Sequence, residues 1–114
     1  MIDDADDVDV FAEIRRAFVD RLVTDGRVIE ETRTRIRQPA GVPRQVYTDL
    51  AFLSHRLTGL GTTLGHDEIT NRARVVERMA ESARQAPPED TTALDDAIDA
   101  LLRSMRAVTE AAGR

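Results

Sequence analysis

The chain has no cysteine and no lysine, only four prolines, and no long apolar run. Without cysteine there is no disulfide, no thiolate nucleophile and no sulfur-built zinc site. The absence of lysine puts all 16 basic charges on arginine, a bias that reads as base composition rather than as function. Apolar runs of only a few residues exclude a membrane-spanning segment. The N-terminus, with Asp3, Asp4, Asp6, Asp7 and Asp9, carries the wrong charge for a signal or transit peptide. The expected location is therefore the cytoplasm. A net charge of −5 with no basic cluster excludes nucleic acid as the main ligand, because phosphate binding needs a concentrated positive face.

What the chain does have is a globular balance: 41% hydrophobic and 32% charged residues over 114 positions, enough for one core and too little for a second lobe. Apolar residues recur at helical spacing, and nowhere with the alternation of a half-buried strand. A first helix is expected from about Asp9, a candidate N-cap, to Ile36, with Phe11, Ile14, Phe18, Leu22, Ile29 and Ile36 along one stripe and a possible bend at Gly26. The loop from Gln38 to Pro43 ends it. A second helix carries Leu50, Leu53, Leu57, Leu60 and Leu64, the cleanest seam in the chain, and Gly65 closes it. A third carries Ile69, Ala73, Val76, Ala80 and Ala83 and stops before Pro87. Thr92 and Asp95 suggest a capping box for a fourth, whose seam runs Leu94, Ile98, Leu101, Met105, Val108, Ala112. Four amphipathic helices on short connections predict an all-α fold, an antiparallel up-down four-helix bundle over residues 9–114, preceded by a flexible acidic tail, 1–8.

The only histidines are His55 and His66, and catalysis near neutral pH would most readily use one of them. On a helical wheel His55 lies about 180° from the centre of the leucine seam, which points it at solvent. Thr48, Ala51, Phe52, Thr58, Gly59 and Thr62 share its face, a set without charge that lets another surface approach the imidazole. Gly59, one turn after His55, removes a side chain that would crowd the ring. His66 sits at a helix junction, where local capping is its expected role. No H-x-x-x-H or E-x-x-H spacing supports a metal centre, and the acidic run at the N-terminus lacks the glycine and terminal glutamate of a calcium loop.

Residues 55–65 read H-R-L-T-G-L-G-T-T-L-G, which resembles the H-x-L-K-G-x-x-x-x-L-G signature of histidine-containing phosphotransfer (HPt) domains, with His55, Leu57, Gly59, Leu64 and Gly65 in register. The resemblance implies a phosphocarrier rather than an enzyme, with His55 accepting a phosphoryl group and passing it between aspartates of response-regulator receiver domains. A hybrid sensor kinase is a further implied partner. Such a monomer binds no metal of its own, and Mg²⁺ is expected to come with the receiver. Where the family usually has lysine this chain has Thr58. The positive charge is then expected from Arg56, with Arg72, Arg74 and Arg78 as further candidates. Arg56, Thr58 and Gly59 are the expected phosphoryl-contacting positions, and Thr48, Ala51, Phe52 and Thr62 the expected docking surface. A sensor-kinase dimerisation bundle is disfavoured, since Arg56 rather than an acidic residue follows the histidine and no ATP-binding domain is attached. The alternative from another class is an unphosphorylated helical adaptor that binds a response regulator or other regulator.

Overall fold

The computed structural model describes residues 4–38 and 41–113, with side chains from residue 9 onward. Within them the chain is all-helical: α1 spans Asp4–Ile36, α2 Arg44–Leu64, α3 Asp67–Gln85 and α4 Thr92–Ala112. Each helix packs on its neighbours in the chain, and α4 closes back on α1, while the backbones of the diagonal pairs stay apart. The α2–α3 interface is the most extensive and α1–α2 the thinnest. Among the described residues no helix is long and apolar enough to cross a membrane.

The seams are buried largely as their spacing requires. The core combines Leu22 and Ile29 of α1, Leu50 and Leu57 of α2, Ile69, Val76 and Ala80 of α3, and Ile98 and Leu101 of α4, with Tyr47 wholly enclosed. Burial raises the Tyr47 phenol above its ordinary range.

Two boundaries differ from expectation. Helix α1 begins at Asp4, so Asp9 lies inside it rather than at its cap. No glycine or proline separates the two positions, and nothing in the backbone stops a formed helix from extending. The expected tail, 1–8, thus falls partly outside the described residues and is helical over the rest. At 33 residues α1 spans roughly 50 Å, against about 30 Å for the 21-residue α2. Its first stripe positions, Phe11 and Ile14, stay exposed. The Gly26 position does not interrupt the helix.

At the start of α4 the capping box is absent. The Asp90 carboxylate accepts the Thr92 N–H at 2.9 Å instead. Asp95 is drawn to Arg37 beyond the end of α1, which donates from Nε at 2.7 Å and from Nη2 at 2.8 Å. That forked contact holds the Asp95 carboxyl below its usual range. With Arg33–Asp99 it ties the end of α1 to the start of α4.

The junction between α2 and α3 positions the rest. Gly65 adopts φ 77°, the left-handed conformation, while the His66 N–H reaches Gly61 O at 2.8 Å and the Gly65 N–H reaches Thr62 O at 3.3 Å. This pair of bonds ends α2 and turns the chain directly into α3. Close approach there depends on Gly61. A β-carbon on it would overlap Thr70 Oγ1 and stand 3.0 Å from the Thr70 backbone nitrogen and 3.1 Å from His66 O. Gly61→Ala is therefore expected to destabilise the protein by about 1–3 kcal/mol through forced separation of α2 and α3. Denaturant unfolding measures it as a lowered midpoint.

Candidate functional site

His55 stands in the middle of α2 with its side chain 77% exposed. It is held outward because Leu50, Leu53, Ser54, Leu57 and Gly61 of the same helix are buried on the opposite side. Phe52, one turn earlier, is 70% exposed, a large apolar ring in water beside the imidazole. Gly59, one turn later, has open space where a β-carbon would be. Thr62 is exposed, and Thr48 and Thr58 are half-buried.

Ala51, expected on this surface, is buried instead. It lies on the flank of the His55 stripe that α3 covers, so it contributes packing and no docking surface. Only the partner helix determines which flank of an exposed stripe is covered.

The structure adds a residue that the wheel of α2 could not contain. Glu77 of α3 places Oε2 2.7 Å from His55 Nδ1. A carboxylate only accepts hydrogen bonds, so this contact assigns a proton to Nδ1, and in the neutral ring the lone pair is then on Nε2. Nε2 has no hydrogen-bond partner among the described residues. The pairing also restrains the ring, which an exposed histidine would otherwise rotate freely. It follows from the packing of α2 on α3: Thr62 Oγ1 lies 3.3 Å from Thr70 Oγ1, seven residues along α2 from His55 and seven back along α3 from Glu77. The two helices run in opposite directions with that register, and a row of polar side chains lines their outer seam.

Arg56 does not join the site. Its Nη2 donates to Asp25 Oδ1 of α1 at 3.0 Å, and Asp25 is only 3% exposed. One residue along a helix rotates a side chain about 100°, which carries Arg56 off the His55 face and onto the α1–α2 seam. There a buried carboxylate captures it, a partner that sequence separation hides. Arg56, expected to contact a phosphoryl group, is thus engaged with Asp25 rather than placed at the His55 ring. Thr58 remains beside the site, but its hydroxyl donates to Ser54 O at 3.1 Å within its own helix. Arg72 approaches Glu68 at 3.9 Å, one turn earlier on α3. His66 supplies no side-chain cap; its ring stacks on Phe18 of α1 at 5.2 Å between centroids and 11° between planes. Its role is packing at the end of α2.

No protein-family model matches this chain, and neither a curated protein nor a solved structure matches it. The functional reading stands on the motif at residues 55–65 together with the geometry around His55.

Proposed function

We propose that this protein is a histidine phosphotransfer carrier of a two-component relay, taking a phosphoryl group on His55 from one receiver aspartate and handing it to another. The up-down antiparallel bundle expected from the sequence is part of this proposal. It is supported by the opposed running of α2 and α3, by Arg33–Asp99 and Arg37–Asp95 joining opposite ends of α1 and α4, and by Asp25–Arg56 between α1 and α2.

The observation that carries the reading is an outward imidazole whose Nδ1 is held by a carboxylate while Nε2 is left free. The Nε2 lone pair attacks the phosphorus of an aspartyl phosphate, forming the N–P bond as the P–O bond to the aspartate breaks and the carboxylate leaves. The Nδ1 proton stays in place, so the ring becomes cationic, and Glu77 stabilises that charge where it develops. The chain need supply no metal: positioning and a partner's acidic pocket with Mg²⁺ meet the demands of an in-line transfer. Phe52, Gly59 and Thr62 present the docking surface, apolar at its centre and small around the ring, which suits a transient interface.

Incubation with phosphorylated receiver domains and Mg²⁺ tests the proposal. The expected product is a protein modification that is labile in acid and stable in base. Stable receiver binding with no such label from any receiver would instead establish the adaptor.

Glu77 gives the reading a second handle. Glu77→Ala is expected to slow labelling roughly tenfold to a hundredfold, the range of an oriented acid–base or supporting partner. Its thermal midpoint should stay near wild type, because a contact to a side chain that is 77% exposed contributes little stability. Stopped-flow transfer and a melting curve measure both.

A further inference from the structure

A phosphoryl group on His55 Nε2 would add up to two negative charges beside the Glu77 carboxylate. Without a cation nearby, the loaded state is opposed by its own supporting residue. Arg56, next to His55 in the chain, is committed to Asp25 on the α1 side. The cation has to come from α3.

The register identifies which one. His55 faces Glu77, and Thr62 faces Thr70. Three residues forward from His55 and three back from Glu77 are Thr58 and Arg74, so these two stand across the α2–α3 seam from each other. On α3, Thr70, Arg74 and Glu77 fall within about 60° of one another, a single stripe along the rim of the seam. Arg74 is therefore one turn from Glu77, roughly 4.5 Å along the axis, on the stripe that already reaches the imidazole. The other α3 arginines fit less well. Arg72 lies about 140° round the helix from Glu77 and pairs with Glu68. Arg78 lies about 100° round and borders a groove with Met79, Ala83 and Leu94 at the α3–α4 end. Arg74 is exposed and makes no ion pair or side-chain hydrogen bond with the described residues. A long unpaired side chain can swing along the seam at low cost.

We infer that Arg74 is the phosphoryl-binding cation of the loaded carrier, closing over the phosphate on His55 Nε2 from the α3 side while Glu77 holds the ring from behind. This inference rests on the phosphocarrier reading. In the unloaded protein Arg74 is exposed. When the phosphoryl group arrives, its oxygens accept from the guanidinium, which can present two parallel N–H donors. The arginine lengthens the life of the N–P bond by balancing charge.

The test uses the full chain phosphorylated with potassium phosphoramidate, so it needs no cognate receiver, and follows the ³¹P resonance that is missing from His55→Gln. Arg74→Ala is expected to shorten the half-life of that resonance about fivefold, as befits one charge-assisted contact at an exposed site. It should also raise the pH midpoint of the phosphoryl titration by about half a pH unit, since a neighbouring cation favours the dianion and its loss disfavours it. Arg74→Lys should retain much of both properties. Adding Thr58→Lys to Arg74→Ala should restore them, because it places a cation at the same level from the opposite side of the seam. An unchanged half-life and midpoint in Arg74→Ala would overturn the role of Arg74 and leave the carrier reading intact. Failure of every phosphorylated receiver to label His55 would overturn the carrier reading itself.

Discussion

His55→Gln is expected to abolish the acid-labile label completely while leaving the thermal midpoint within a few degrees of wild type. The loss is total because His66 cannot substitute: its ring is stacked against Phe18 at the end of α2, away from Glu77. Stability is spared because the His55 side chain is 77% exposed and its contact with Glu77 is a surface pair. Such pairs contribute at most about 1 kcal/mol, and glutamine keeps a comparable stem and a polar end. Phosphotransfer from a labelled receiver and a circular-dichroism melt, run on the same preparation, separate the two effects. A label that survives in His55→Gln would place the accepting residue elsewhere and remove the basis for the proposed function.

Arg56→Ala is expected to do the reverse, lowering stability without touching the chemistry. Asp25 is 3% exposed, with Oδ1 held by Arg56 at 3.0 Å and Oδ2 3.4 Å from Arg21 Nε. Removing Arg56 strands one oxygen of a buried carboxylate at the thinnest helix interface. Breaking a buried pair from one side costs about 3–5 kcal/mol in general, and the remaining Arg21 and the half-exposed position of Arg56 reduce this to about 2–3 kcal/mol. The thermal midpoint should fall by roughly 10 °C. Asp25→Leu combined with Arg56→Met should recover most of it, since an apolar replacement leaves no orphaned charge. Phosphohistidine half-life, measured below the melting range, should be the same in Arg56→Ala as in wild type. A shortened half-life would return Arg56 to the phosphoryl site.

Most of the helical layout was legible in one dimension. The 3-4 spacing of leucines from Leu50 to Leu64 marked both the buried side of α2 and the outward direction of His55, because a helix repeats its faces every few residues whatever it packs against. Gly65 was legible for a similar reason: the left-handed turn it makes needs no tertiary partner to be predicted. At Gly59 the expected crowding is not found, since a β-carbon there would meet nothing within 4 Å, the His55 ring included. Gly61, two residues on, carries no such signal in the sequence, since its crowding comes wholly from Thr70 and His66 after the chain has turned.

The sequence by itself determined that four amphipathic helices form and that one histidine on α2 faces away from its apolar seam. Periodicity along a single helix is sufficient for both. Tertiary structure alone decided what surrounds that histidine. It brought Glu77 to Nδ1, turned Arg56 toward Asp25 and covered Ala51. Each of these depends on the register and rotation of one helix against another, and those follow from interlocking side chains distant in the chain, which no local pattern records.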